Sequence, residues 1–247
     1  ISQVNDQPDG SVRAIRALVD RRCDAVLYYN NSFFDHYNIQ GDELSDLIDE
    51  LPVPLVVMNC HLPRHPQNCV WFDHSQGARL PVEHLLAQGH KRIAYIAGPL
   101  NQRTAQLRLQ GYQAALTNAG IVFDPLLVAE GDRYYHGGYS ACNQLLQRRA
   151  EFTALCCFND LSAIGALKAL QEHGISVPQQ VSLVGFDNEA VLDYLSPSLS
   201  SVQLPAHAFV THAMTLLLDK LTGTETPMPD ESIFIGDLVI RDRKSTR

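Results

Sequence analysis

The sequence predicts an α/β protein made of two doubly wound lobes, each a parallel sheet covered by helices. Three observations carry this. Short apolar runs of strand length alternate with longer segments of helical period along the chain. The runs at 25–29, 55–58, 93–97, 154–158 and 181–184 are almost wholly apolar, as strands buried on both faces are. Gly98-Pro99 and Gln203-Leu204-Pro205 interrupt the rhythm where the chain would cross to a second lobe and return.

Taken in order, 1–4 reads as the tail of a strand and 5–10 as a loop. Ser11 is placed to cap a helix running to Arg22, with Val12, Ile15, Leu18 and Val19 on one face. The strand at 25–29 leads into a polar loop at 30–41. Leu44, Leu47, Ile48 and Leu51 mark the next helix, and Pro54 leads into strand 55–58. A short strand at 70–72 precedes a helix at 77–86 that stops at Gly89. After strand 93–97 come a helix at 106–119 closed by Gly120, a strand at 126–129 and a helix at 138–149.

The most informative stretch is 152–187. Residues 154–158 form a buried strand, and either Asn159 or Asp160 can cap the helix that follows. Leu161, Ile164, Ala166, Leu167 and Leu170 keep a helical spacing until Gly174. Pro178 lies in the loop, 181–184 is the next strand, and Gly185 is expected to break it. This is a βαβ unit, with parallel strands and a right-handed crossover. Ligands of such sheets sit beyond the carboxyl ends of the strands, where Asn159, Asp160 and Asp187 stand. A helix at 207–221, a Gly/Pro/Thr loop at 222–230 and a final strand or strand pair at 233–240 complete the chain. The lobes expected are 1–98 plus 206–232 and 99–205 plus 233–247, joined by three crossings.

Composition narrows the classes of function. The 247 residues are 45% apolar and 19% charged, which suits a globular chain with a substantial core. A net charge of −8 argues against this piece gripping a phosphate backbone by itself. No apolar run is long enough to span a membrane and no signal peptide is visible. Cys23, Cys60, Cys69, Cys142, Cys156 and Cys157 follow no disulfide framework, so reduced thiols in a cytosolic protein are expected. Adjacent Cys156 and Cys157 should point to opposite faces of one strand.

The stretches VEHLLAQGHKRIAYIAGP, LRLQGYQAAL, FNDLSAIGALKALQEHGISVPQQVSLVGFDN and LVIRDRKSTR resemble, in order, the effector-binding domain of the lactose/galactose-repressor family of bacterial transcription regulators. The likeness is greatest to sugar repressors of the galactose and β-glucoside type. It implies a fold like that of periplasmic binding proteins, with a small effector (a hexose, a galactoside or another glycoside) between the lobes. It also implies a homodimer in which the outer face of helix 161–173 and the segment 192–199 take part. Operator DNA would be bound through a helix-turn-helix domain that this chain does not contain. The first strand and helix of the N-terminal lobe also lack a counterpart here. No cofactor and no metal are implied, and the protein would not be an enzyme.

The resemblance puts Arg108, Asn159 and Asp187 on effector-contacting positions. Their chemistry suits a sugar, since a guanidinium donates in a fixed fork, a carboxylate accepts, and an amide does both. The plainer reading of each is a helix cap or a loop ion pair. Asn59, Phe72, Asp73, Tyr29, Arg133 and Gln203 match positions bordering the cleft. Phe72 or Tyr29 could offer a ring face to a sugar, although a strand aromatic is more often core. Arg133 departs from sugar-binding relatives that place an aromatic there. Either Tyr134 takes the stacking role or the ligand carries negative charge.

Other constellations are weaker. Cys60-His61-x3-His65-x3-Cys69 holds zinc-binding residue types, but its spacing fits no structural zinc motif and an ordinary loop is expected. His90 has no nucleophile paired with it by any local pattern and is expected to bond near its helix end. GxxxxGK[ST], HExxH and GxSxG are absent from the sequence, and nothing in it supports catalysis. A transport-linked periplasmic sugar-binding protein is the alternative, because it shares the fold.

Overall fold

The computed structural model describes residues 10–30, 41–224 and 232–241, so the strand tail expected at 1–4 and most of the loops expected at 30–41 and 222–230 lie outside the described residues. The chain divides into two compact units, Ile1–Asp73 with Pro205–Phe234 and His74–Leu204 with Ile235–Arg247.

The first unit holds a four-stranded parallel sheet ordered β1 (Val26–Tyr29), β2 (Leu55–Met58), β3 (Cys69–Phe72) and β9 (Ser232–Phe234). Val26 pairs with Leu55, Val57 with Cys69 and Trp71 with Ile233. On one face, Ile15 of α1 (Gly10–Asp20) and Leu44 and Leu47 of α2 (Gly41–Glu50) bury Val26, Leu55 and Val57. On the other, α7 (Ala206–Thr222) stacks Phe209 on Phe72 at 4.0 Å between ring centroids. Ser11 is not the cap of α1. The helix begins one residue earlier, and Ser11 lies buried in its first turn, accepting a hydrogen bond from the Tyr28 hydroxyl at 3.1 Å.

The second unit is a three-layer sandwich. Its sheet runs β10 (Asp237–Val239), β8 (Ser200–Gln203), β7 (Ser182–Phe186), β6 (Ala154–Cys157), β4 (Ile93–Ala97), β5 (Val128–Glu130), parallel except for β10 against β8. Val82 and Leu85 of α3 (His74–Ala87) and Tyr112 of α4 (Arg103–Asn118) pack with Tyr95, Cys156 and Val184. On the opposite face, Leu145 of α5 (Tyr135–Gln147) and Leu167 of α6 (Asp160–Glu172) pack with Ile96, Leu155 and Cys157. The adjacent cysteines therefore enter different cores, as strand alternation requires. Helices α5 and α6 touch backbone to backbone. A Cβ on Gly138 would lie 2.1 Å from the Ser162 carbonyl oxygen, and one on Gly165 would lie 2.0 Å from that of Tyr135.

Two further sequence expectations are corrected by the fold, and one strand is unexpected. The first crossing falls at 73–74 rather than at 98–99. Strand β4 is paired on both sides within the second sheet, to β5 and β6, so Gly98-Pro99 follows a strand of the second unit and does not precede it. Gly185 does not end β7, which continues to Phe186. Strand β8 has no counterpart among the expected elements, because Ser200 and Ser201 hide its apolar pattern, although both are fully buried.

Candidate functional site

In the second sheet β4 connects to β5 on one side while its other neighbour is β6. Successive crossovers therefore depart in opposite directions from β4, which puts a topological switch point there, and ligands of such sheets bind at the carboxyl ends of the strands beside it. Three expected residues meet at that edge. Arg108 comes from α4, Asn159 follows β6, and Asp187 follows β7.

Arg108 is buried at 5% exposure, so its charge needs partners. Its Nη1 donates to the Phe158 carbonyl oxygen at 2.5 Å, and Nη2 lies 3.3 Å from Asp187 Oδ1. The guanidinium carbon sits 3.5 Å from the Phe186 ring centroid and 4.8 Å from that of Phe158. Two aromatic faces thus help to hold a desolvated cation. The Asp187 side chain keeps 35% of its surface open. Burial raises its pKa, against the opposing pull of Arg108. Asp187 (φ 104°) and Asn188 (φ 55°) both stand in the left-handed region, an uncommon conformation for non-glycine residues and one associated with functional turns.

Asn159 settles which residue caps α6. Its Oδ1 accepts from the Ser162 amide at 2.9 Å and from the Ser162 hydroxyl at 2.7 Å, while Nδ2 donates to the Arg133 carbonyl at 2.9 Å. It is therefore both a helix cap and a staple on the loop carrying Arg133. The Arg133 guanidinium carbon lies 5.4 Å from the Tyr134 ring centroid, and Tyr134 is exposed. Gln203 Oε1, at the end of β8, accepts from Asn188 Nδ2 at 3.2 Å.

Asn59, Phe72, Asp73 and Tyr29 belong to the first unit. Asn59 follows β2 in a left-handed conformation and donates through Nδ2 to the Asn30 carbonyl. The Asp73 amide donates to the Phe234 carbonyl. Tyr29 is half exposed at the end of β1. Phe72 is core: it is buried, stacked on Phe209 and edge-on to Phe234, rather than open to a ligand.

Among the described residues no group of three or more His, Cys, Asp or Glu side chains converges to hold a metal. In the 60–69 loop, His61 leans on Trp71, His65 lies 3.2 Å from Asp49, and Cys69 bonds to the His65 carbonyl. The His90 ring bridges two strand starts, with Nδ1 2.8 Å from Thr153 Oγ1 and Nε2 3.2 Å from Ser182 Oγ, while its backbone amide donates to the Leu85 carbonyl in the last turn of α3. None of the six cysteines is in a disulfide. No helix among the described residues is long and apolar enough to cross a membrane.

Residues 82–246 match the model of the periplasmic binding protein-like domain. The chain is 37% identical to the HTH-type transcriptional regulator AscG of Escherichia coli (strain K12), over 93% of this chain and 66% of that protein. It is 35% identical to the HTH-type transcriptional regulator GalR of the same organism, over 95% of this chain and 66% of that protein. The crystal structure of a sugar-binding transcriptional regulator (LacI family) from Escherichia coli complexed with phosphate superimposes with a TM-score of 0.88 at 36% identity, covering 95% of this chain and 81% of the other. A transcriptional regulator CelR–cellobiose complex gives 0.78 at 32% identity, covering 95% and 70%. The chain belongs to the LacI (lactose/galactose-repressor) family. It spans 66% of the length of the two curated relatives named here.

Part of this candidate site is not visible in the sequence. Of the two rings beside Arg108, Phe158 reads there as a strand residue only, and Phe186 reads as lying beyond the break at Gly185. Asp160 reads as an alternative cap, yet it lies completely buried behind the Asp187 turn. Its one sequence signal is redundancy, an acid beside an asparagine where α6 needs a single cap.

Proposed function

We propose that this chain is the effector-sensing and dimerising core of a sugar-responsive transcriptional repressor, acting in the cytoplasm. The observation that carries it is the Arg108–Asp187 pair at the carboxyl edge of the second sheet. It presents a donor fork and an acceptor together, the pairing that neighbouring hydroxyls of a sugar require. Relatives described as a sugar-binding regulator and as a CelR–cellobiose complex support a hexose, a galactoside or another glycoside as the effector. The site binds and does not turn over its ligand, in keeping with relatives that are transcription regulators.

In this reading the effector binds one conformation of the protein better than another and so shifts their populations. The relatives named HTH-type carry the DNA-binding element, and this acidic core would act on operator half-sites through such a domain and not by its own contact with phosphates. Tyr194, 87% exposed, offers an apolar surface in the segment 192–199 where a second copy would dock two-fold, and exposed Val191 adjoins it. The transport-protein reading is not favoured, because these relatives are regulators.

A thermal-shift screen against neutral hexoses, cellobiose and other glycosides, sugar phosphates and purines tests the reading. A ligand that binds only the folded state raises the midpoint with concentration. A shift with a neutral sugar is expected, abolished by Arg108→Ala. A shift confined to anionic ligands would replace the neutral sugar by a phosphorylated one and make Arg133 its partner. No shift with any sugar would overturn the sugar assignment.

A further inference from the structure

Asp160 is fully buried at the first position of α6, where capping is already done by Asn159. A second carboxylate is not needed to start the helix. Its two oxygens point instead at the turn after β7. Oδ2 accepts from the Glu189 amide at 2.7 Å, and Oδ1 accepts from the Ser201 hydroxyl at 2.6 Å. That hydroxyl in turn accepts from the Asn188 amide at 3.0 Å. Two successive backbone N–H groups following Asp187 thus terminate on one buried carboxylate, one directly and one through Ser201. Room for it is made by Gly185, where a Cβ would lie 2.0 Å from Oδ1. The turn so held contains the two left-handed residues, Asp187 and Asn188, that aim Asp187 Oδ1 at Arg108.

We propose that Asp160 is a positioning residue for effector recognition. Without touching the effector, it fixes the strained turn that presents Asp187, and thereby sets the affinity of the Arg108–Asp187 pair. The effector part of this rests on the function proposed above; the bracing of the turn does not. The side chain of Asn188 is held from the outside as well. Its Oδ1 accepts from Arg241 Nη1 at 2.7 Å, and its Nδ2 donates to Gln203. The turn is therefore clamped on both sides, with the carboxylate beneath it as the buried support. The charged and titratable groups around Asp160 are Asp187 and Glu189 in the turn and Cys157 at the end of β6. Arg108 pairs with Asp187 and Arg241 bonds to Asn188, and neither bonds to Asp160 itself. From β7 and β8 it is faced by uncharged Gly185 and Ser201. Burial raises its pKa to about 7, so the bracing charge titrates near neutrality.

The test combines amide hydrogen exchange by NMR on the ligand-free chain with calorimetric binding of D-galactose and cellobiose. In Asp160→Ala, exchange at Asn188 and Glu189 should accelerate at least about tenfold, while Ala94 and Tyr95 in the central strand keep their protection. Asp160→Asn, which retains one acceptor, should restore part of it. The wild-type Glu189 amide shift should titrate near neutral pH and lose that inflection in Asp160→Asn, a readout that a merely space-filling residue would not move. Affinity for whichever sugar binds should fall at least about tenfold in Asp160→Ala. Unchanged exchange at Asn188 and Glu189 in a folded Asp160→Ala chain overturns the proposal. If that variant does not fold, Ser201→Ala is read at Asn188 in the same way. If neither sugar binds the wild-type chain, the sugar reading has failed, and the exchange comparison still decides the role of Asp160.

Discussion

The guanidinium carbon of Arg108 lies over Phe186, 3.5 Å from the ring centroid, and Phe186 is the residue immediately before the carboxylate that Arg108 pairs with. One strand end therefore supplies both the aromatic face and the counter-charge. The buried cation is held with Nη1 on the Phe158 carbonyl and Nη2 toward Asp187.

Arg108→Lys keeps the charge and loses the rest. A lysine ammonium cannot reach the Phe158 carbonyl and Asp187 in one plane, nor stack as a flat group. We expect sugar affinity to drop by about 10- to 100-fold, the equivalent of one lost hydrogen bond to a charged group. Isothermal titration calorimetry reads this directly. Wild-type affinity in the lysine variant would mean that charge alone is recognised.

Asn159→Ala removes the cap of α6 and the staple on Arg133 together. The cap is worth about 1 kcal/mol. The expected result is a melting midpoint a few degrees lower, with faster amide exchange around Arg133. Loss of ligand binding without loss of stability would instead place the amide in direct contact with the effector.

Gly185→Ala should be costly for a reason outside its own strand. The added Cβ collides with Asp160 Oδ1, so a destabilisation of about 2 kcal/mol or more is expected. Combined with Asp160→Ala the penalty should shrink, because the colliding oxygen is gone. Chemical denaturation of the two single variants and the double variant closes the cycle. Strict additivity would show that the carboxylate is not what Gly185 makes room for.

Asp160 also gives the protein a pH dependence of defined sign. Burial raises its folded pKa from 3.8 to about 7, only partly opposed by bonds from Ser201 and Glu189. Between these values the folded state keeps a proton that the unfolded chain has released. Its contribution to stability is therefore full below the unfolded pKa, falls as pH rises toward 7, and is flat above. Every tenfold difference in proton affinity between the two states corresponds to about 1.4 kcal/mol. The stability difference between wild type and Asp160→Asn, followed by denaturant titration across that window, should fall with pH and then level. A flat difference would show that the carboxyl titrates as an ordinary exposed one.

Much of this is legible along the chain. The βαβ unit 152–187 declares itself through an apolar run, a capping pair, helical spacing and a glycine stop. Local physics decides each of these, because burial on both faces selects the apolar residues of β6 and hydrogen-bond geometry selects the cap. The positions of Asn159 and Asp187 beyond strand ends follow from the same pattern, and that of Arg108 follows from the family resemblance. Strand β8 escapes because Ser200 and Ser201 satisfy their hydroxyls inside the fold, and a periodicity reading sees only that they are polar.

By itself, the sequence determined the alternation of strands and helices, the family, and the residues at the carboxyl edge of the second sheet. Only the tertiary structure decided that the first crossing lies at 73–74, since pairing of β4 on both sides is a contact between distant segments. It alone decided that Phe72 is core, and that Asn159 caps while Asp160 braces. Those two neighbours differ in role because of Ser162 in one case and Ser201 and Glu189 in the other. The partners of Asp160 lie 29 and 41 residues away in sequence, and a buried carboxylate takes its function from whichever donors the fold brings to it.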